Sequence, residues 1–289
     1  MAMNLRTLLI LGRVSNLPTV WTNALAGTVL SMAVPPLSNG GMGLLLLSLS
    51  LFYVGGMYLN DAFDAEIDAA ERASRPIPTG KIGQSTVFLL GFGMLGLGAV
   101  LGFLFSMQAG LAGLGLAASV IAYDWLHKKT AAAPLLMGAC RFLTYVMAAL
   151  AAGELSDAVL IGAVGLFAHT VGLTYAAKQE AYDRIERVWP LAVLALPAII
   201  GAWMAYSPFF WNLPAFVLLG IYVAWTLWAL TYLFRRGPGD VPRAVVSLIA
   251  GIALFDAVVI AAVGASLLAV FAVLGFLLTL ALQRFVPGT

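Results

Sequence analysis

The chain of 289 residues contains one cysteine, Cys140, two histidines and only 28 charged side chains, fifteen Lys or Arg against thirteen Asp or Glu. Each scarcity excludes something. One cysteine cannot build a disulfide framework or a thiolate metal cluster. A soluble domain of this length carries roughly 70 charges, so a water-exposed surface cannot be covered here. A disordered chain needs the opposite composition. A net charge of +2 supplies no basic face for nucleic acid. What is abundant is apolar surface: 62% of residues are hydrophobic and the mean hydropathy is +0.99. The composition leaves an all-α polytopic integral membrane protein.

Ten apolar segments of about 17–25 residues each are candidate membrane helices. They cover 15–34, 41–60, 84–105, 108–124, 134–152, 157–175, 189–206, 213–234, 243–263 and 266–284. Turn chemistry separates them, as at Pro35-Pro36, Asn39-Gly40-Gly41 and Gly237-Pro238-Gly239. No long polar linker interrupts the series, so residues 1–289 read as a single domain. Residues 1–12 do not read as a signal peptide, because the apolar stretch 8–11 is too short and Arg13 interrupts it.

Orientation follows from the short loops. With Arg6, Arg13 and the N-terminus in the cytoplasm, the loops after segments two, four, six and eight share that side. They hold Arg72, Arg75 and Lys81; Lys128 and Lys129; Lys178, Arg184 and Arg187; and Arg235, Arg236 and Arg243. Arg284 joins them if the tenth segment spans, which puts fourteen of fifteen basic residues on one face. The exception, Arg141, lies inside the fifth segment. The acids crowd the same side, including Asp61, Asp64, Glu66, Asp68, Glu71, Asp124, Glu180, Asp183, Glu186 and Asp240. Positive-inside topology does not require them.

The second segment runs into Asn60-Asp61-Ala62-Phe63-Asp64-Ala65-Glu66-Ile67-Asp68. If the helix continues, Asn60, Asp64 and Asp68 share a face, with Asp61 one turn from Asp64. Such carboxylates repel one another, and the helix dipole opposes them at a C-terminus. They become favourable around a divalent cation. All-oxygen ligation suits Mg²⁺, which bridges one or two carboxylates to substrate phosphates. Arg72, Arg75 and Lys81 follow in a Pro/Gly-stiffened loop that can hold an anion beside the acids. The plain alternatives are a solvated helix end for the acids and topology alone for the loop.

Four segments later comes a second acidic stretch, where Glu180 and Asp183 are i, i+3 neighbours and Gln179 and Asp183 are i, i+4. A solvated mixed-charge face is the alternative there. Between the two stretches, segment four ends Tyr123-Asp124-Trp125-Leu126-His127-Lys128-Lys129. Asp124 is a base, a metal-shell residue or a partner of its neighbours, and His127 is expected at the solvated interface. Arg141 costs about 2.5–3.5 kcal/mol to insert, so it must face a cavity or a carboxylate. A ligand's negative charge fits it, and structural pairing is the alternative. Asp256 is similarly buried by sequence and deep for a metal site, and functional and structural roles stay open for it; His169 is expected to be a satisfied bundle histidine, and Gly55-Gly56 to permit close helix packing.

The pattern NDxxDxxxD at 60–68, followed by RPIPTGKI at 75–82, resembles the UbiA superfamily of intramembrane prenyltransferases. The likeness runs in helix order along nearly the whole chain. It implies a bundle of nine membrane helices around a lipid-open chamber, with Mg²⁺ as cofactor and a polyprenyl diphosphate as donor. By that resemblance Asp61, Asp64 and Asp68, with Glu180 and Asp183 of the second motif, are metal ligands. Asn60, Arg72, Arg75, Lys128 and Lys178 are implied substrate contacts, joined by Arg141 if its role is a ligand's charge. Asp64 and Asp183 are candidate bases. The second motif departs from the family: Gln179 stands where an aspartate is expected, so Glu180 substitutes or the second metal site is weaker. That change and the segment GACRFLTY at 138–145 resemble the EboC-type UbiA-like branch, whose acceptor need not be a benzoate or a naphthoate.

The implied activity is Mg²⁺-dependent prenyl transfer to a hydrophobic or aromatic acceptor, with walls such as Tyr53, Trp125 and Tyr145 excluding water. The expected location is a bacterial inner (cell) membrane, with membrane lipid as neighbour and the active-site loops cytoplasmic. A transporter and a non-catalytic lipid-binding subunit are the rival readings. Nine spans place the two termini on opposite sides, whereas ten return Arg284 to the basic side. A reporter fused to the C-terminus decides between them: a cytoplasmic signal gives ten spans and an external signal nine.

Overall fold

Apolar runs closed by capping and turn residues become twelve α-helices among the residues described by the computed structural model, which are 4–32, 37–178, 189–206, 212–235 and 237–288. They are α1 (Leu5–Leu11), α2 (Leu17–Leu30), α3 (Asn39–Phe63), α4 (Ala65–Glu71), α5 (Gln84–Phe103) and α6 (Met107–Leu126). There follow α7 (Ala133–Ala152), α8 (Asp157–Lys178), α9 (Ala195–Ala205), α10 (Leu213–Arg235), α11 (Asp240–Ala262) and α12 (Ser266–Leu282). Starts carry the expected chemistry. The Asn4, Ser38 and Ser106 side chains accept from the N–H groups of Arg6, Gly41 and Ala109, and Pro18 and Pro134 occupy first turns. The ten apolar segments correspond to α2, α3 and α5 to α12, while α1 and α4 are additional short helices.

Seven of these helices, α3, α5, α6, α7, α8, α10 and α11, are long and apolar enough to cross a membrane. The remaining apolar helices are shorter, α2 having 14 residues, α9 11 and α12 17. The chain is an integral membrane protein built only of helices among the described residues. Two cores meet along α2, which touches α3 and α7 on one side and α11 and α12 on the other. Phe52, Leu59 and Met147 fill the first, and Leu248 and Phe255 the second. The most apolar stretch of α11 is 89% buried and that of α10 only 22%, so α11 is the inner helix of the second half and α10 a lipid-facing one. At the start of α2, Asn16 Nδ2 donates to the carbonyl of Gly288 at 2.9 Å, and Gln283 Nε2 donates to Asn16 Oδ1 at 3.0 Å.

Without water to drive helices together, close approach supplies the packing energy. A Cβ at Gly55 would lie 2.9 Å from the carbonyl oxygen of Gly91 on α5, and one at Gly27 2.8 Å from that of Tyr145 on α7. Gly96 has nothing within 4 Å. A Gly→Ala change in a helix otherwise gains up to about 1 kcal/mol. Gly96→Ala is therefore expected to preserve or raise the melting temperature of the detergent-purified protein. Gly27→Ala and Gly55→Ala are expected to lower it, by an overpacking cost of about 1 kcal/mol or more.

Candidate active site

The first acidic motif is folded by a reset of the helix. α3 ends at Phe63, Asp64 caps it with φ −86° and ψ −2°, and α4 begins at once. The backbone bonds Asp64 N–H to Asn60 O (3.0 Å) and Asp68 N–H to Asp64 O (2.8 Å) carry the helical register through the junction. Asn60, Asp64 and Asp68 therefore stay on one side, as the spacing requires. The expectation that every acid sits at a helix C-terminus is corrected, because Glu66 and Asp68 fall in the first turn of α4, where the dipole favours negative charge.

Three cations and a histidine surround these acids. Asp61 Oδ1 accepts from Arg75 Nη1 at 2.5 Å and from Arg13 Nη2 at 3.3 Å. Arg75 Nη1 also lies 3.4 Å from Asp68 Oδ2. Asp64 Oδ2 faces His127 Nε2 and Lys128 Nζ, each at 3.2 Å. Arg13 Nη2 donates to Asn60 Oδ1 at 3.3 Å, and Asn60 Nδ2 donates to Asp124 Oδ1 at 3.2 Å. Asn60, Asp61, Asp64, Asp68 and Asp124 are all buried. Burial pushes the Asp64 carboxyl up, but His127 and Lys128 outweigh it and hold the group below the usual carboxylate range. Asp68 goes the other way: burial raises it, Arg75 opposes, and the neighbouring Asp64 and Asp61 charges add to the rise.

Two irregular segments deliver the arginines. Arg13, at the corner between α1 and α2, takes the left-handed conformation with φ 41° and ψ 46°. That costs on the order of 1 kcal/mol, so surrounding contacts must hold it. They include the ion pair to Asp61 and the Tyr53 hydroxyl, which donates to the Arg13 carbonyl at 3.2 Å. The loop after α4 is wound back by bonds from Arg75 N–H to Arg72 O (3.0 Å) and from Lys81 N–H to Pro76 O (3.1 Å). Gly80, with φ +71°, supplies the left-handed turn, and Ile82 is buried with Leu11, Tyr58 and Val87.

Of the residues singled out from sequence, Asn60, Asp61, Asp64, Asp68, Arg75 and Lys128 come together. Arg72 is exposed and has no side-chain partner among the described residues. Lys178 Nζ donates to the carbonyl of Thr130 at 2.8 Å and makes no ion pair with these acids among the described residues. Arg141 belongs to a separate network with Asn23 and Thr19. Gln179, Glu180 and Asp183 lie outside the described residues. His127 is not a solvated interface residue: the side chain is 12% exposed and faces Asp64. Trp125 is 58% exposed, with Lys129 Nζ over its ring, while Tyr145 is fully buried and donates to Asp256 Oδ1 at 2.5 Å. His169 is satisfied by the Tyr222 hydroxyl and the Leu248 carbonyl, both at 2.8 Å.

Sequence reasoning missed the part of Arg13, which it counted only as an orientation charge, and left Asp124 undecided. The available signal for Arg13 was a cation interrupting an apolar run immediately before the first long helix. Among the described residues no three Asp, Glu, His or Cys side chains converge into a protein-only metal cage. The donors are nevertheless all oxygen at the motif, and Asp124 Oδ2 is buried without a hydrogen-bond partner. This donor set fits a hard divalent cation whose shell is completed by phosphate oxygens.

Residues 17–244 match the model of the UbiA prenyltransferase family. A digeranylgeranylglyceryl phosphate synthase of Methanothermobacter thermautotrophicus is 28% identical over 174 residues, which are 58% of this chain and 62% of that protein. The match thus spans about three fifths of that relative's length. Among solved structures, a digeranylgeranylglyceryl phosphate synthase superposes with a TM-score of 0.65 at 19% identity, covering 91% of this chain and 98% of the other. A UbiA homologue from Archaeoglobus fulgidus bound to DMAPP and Mg²⁺ gives a TM-score of 0.61 at 16% identity, covering 97% and 100%. With a family match over most of its length and that fold, the chain belongs to the UbiA prenyltransferase family.

Proposed function

We propose that the protein is a Mg²⁺-dependent prenyltransferase, moving a prenyl group from a polyprenyl diphosphate to a hydrophobic or amphipathic acceptor within the membrane. The observation that carries this reading is the rim where α3, α4 and α6 meet, at which buried carboxylates, three cations and His127 interlock beside the partnerless oxygen of Asp124. The A. fulgidus homologue, whose structure holds DMAPP and Mg²⁺, supports the same ligands here.

In the reaction the C1–O bond of the allylic diphosphate breaks, an acceptor atom bonds to C1, and a proton leaves the acceptor. Mg²⁺ supplies charge stabilisation for the departing diphosphate. With donor and metal bound, Arg75 and Lys128 would hold phosphate oxygens, and Asp61, Asp64, Asp68 and Asp124 would hold the metal. Arg13 and Asn60 hold Asp61 and Asp124 in register. Asp64, held ionised by His127 and Lys128, is one candidate for the proton acceptor, and Asp183 is the other. Glu180 and Asp183, with Gln179 and Lys178, are proposed to complete the site from the far end of α8, and Arg72 to attract the donor from outside. The apolar walls keep water from the allylic cation.

We place this rim on the cytoplasmic side of a cell membrane, from the basic loops. We also infer ten crossings. The bond between Asn16 and Gly288 supports that count, because it brings residue 288, just after α12, beside the corner occupied by Arg13.

Replacing Asp61 and Asp64 together with alanine is expected to lower Mg²⁺-dependent consumption of a polyprenyl diphosphate at least about 100-fold. Unchanged turnover would sink the site. Asp124→Asn is expected to raise the Mg²⁺ concentration needed for half-maximal turnover several-fold, read by titrating the metal at saturating donor.

A further inference from the structure

Arg6 lies in the first turn of α1, and Lys81 near the end of the loop after α4. Both residues are exposed, and neither forms an ion pair among the described residues. They share one cavity of about 550 Å³. α1 and its cap contribute Asn4, Arg6 and Ile10 to the lining, and the loop contributes Thr79, Gly80 and Lys81. None of the described lining residues is acidic. The sequence put Lys81 in a loop that could hold an anion beside the acids, but its cavity contains none of them.

Membrane topology alone would place both cations on this face, yet many of their fellows have carboxylate partners. Arg13 and Arg75 meet Asp61, Lys128 meets Asp64, and Arg235 and Arg243 meet Asp240. Two like charges lining one cavity repel, and an anion between them removes that cost. A phosphomonoester at pH 7 carries about −1.5 to −2, which matches two cations. The guanidinium can bind it by two parallel hydrogen bonds and the ammonium as a point charge. Asn4 Oδ1 accepts from the Arg6 N–H at 3.0 Å, which orients an amide whose Nδ2 is a further donor among the lining residues.

α1 leaves Leu5 68% and Leu9 37% exposed, one turn apart, while Thr7 and Leu11 are buried. An outward apolar stripe on a short helix at the basic end of a membrane protein suits a place in the headgroup layer. A lipid phosphate is therefore within reach of the cavity, as is a soluble one.

The two walls lead to the acidic rim. Leu11 and Ile82 share one buried cluster, with Leu8 and Ile77 packed against it, so α1 and the loop already touch. α1 runs into Arg13 and the loop carries Arg75, and both guanidinium groups donate to Asp61. Thr79 Oγ1 donates to the Arg75 carbonyl at 2.9 Å, and the Lys81 N–H to that of Pro76 at 3.1 Å. A ligand joining Arg6 to Lys81 ties together the segments that deliver both partners of Asp61.

We propose that this cavity is a phosphomonoester site whose occupant ties α1 to the loop after α4 and steadies the two arginines for donor binding. The site stands by itself, whereas its effect on the donor rests on the prenyltransferase reading.

The test uses the full-length protein in phosphatidylcholine nanodiscs, with phosphatidic acid and glycerol 3-phosphate as probes. The wild type is expected to bind phosphatidic acid about tenfold or more tightly than phosphatidylcholine. Joint replacement of Arg6 and Lys81 by glutamine is expected to remove that preference, and the charge-matched pair Lys129→Gln and Arg243→Gln to keep it. No preference in the wild type, its survival without Arg6 and Lys81, or equal loss in the charge-matched pair overturns the site. Glycerol 3-phosphate binding as tightly as the lipid assigns the site to a soluble phosphomonoester, and much weaker binding assigns it to a lipid headgroup. The preferred probe is expected to tighten binding of geranylgeranyl diphosphate with Mg²⁺ about fivefold. Arg6→Gln is expected to lose that gain while its donor affinity without the probe stays that of the wild type. An unchanged or weakened donor affinity in the wild type, or a gain that survives Arg6→Gln, overturns the tie between the segments. Failure of the wild type to bind the diphosphate with Mg²⁺ in plain phosphatidylcholine overturns the prenyltransferase reading instead, and leaves the phosphatidic acid result to judge the site.

Discussion

Asp61 accepts from two guanidinium groups, and on that one carboxylate three separate stretches of chain converge. Arg13 comes from the corner before α2, Arg75 from the loop after α4, and Asp61 itself from the last turn of α3. A carboxylate buried at the edge of an apolar bundle cannot be left unpaired, and removing one partner of such a pair is far costlier than the pair is worth. The requirement explains the local irregularities. Arg13 accepts a left-handed backbone, and the loop through Pro76 and Gly80 folds back onto its own helix. The helix resets at Asp64, which also places Asp68 beside Arg75.

The molecule separates its charges by depth. At the rim, acids and cations cancel in a dense cluster, which is the proposed seat of a metal–diphosphate unit. Deeper, Arg141, Asn23, Asp256 and Tyr145 form a sparse network whose single cation is held by neutral groups. The helices that carry both layers are fastened by small residues, as where α2 meets α7 and α3 meets α5. Tyr145 belongs to the deep network, and its own backbone is what Gly27 packs against. Packing of the bundle and placement of the deep network are therefore coupled at one residue.

The membrane helices were legible because apolar length is a one-dimensional signal. The stretches 84–105 and 134–152, read from composition, correspond to Gln84–Phe103 and Ala133–Ala152. The acidic motif was legible for a similar reason, since Asn60, Asp64 and Asp68 are spaced by one helical turn and the register survives the break. What could not be read was pairing across the fold. Arg13 and Asn60 are 47 positions apart, His127 and Asp64 are 63 apart, and no periodicity links them. The side chain of Trp125 pointed outward for the same reason that Asp124 pointed inward: neighbours in sequence lie about 100° apart on a helix. Lys178 was placed by charge alone, and its hydrogen-bond acceptor proved to be a backbone carbonyl in the loop between α6 and α7.

The most direct measurement is equilibrium binding of a polyprenyl diphosphate to the detergent-purified, full-length protein, with and without Mg²⁺. A rim of exchangeable ion pairs requires the metal to tighten binding by about tenfold or more, and requires Asp61→Asn to abolish that gain. Equal affinity with and without Mg²⁺, or a gain untouched by Asp61→Asn, would contradict the assignment of these carboxylates.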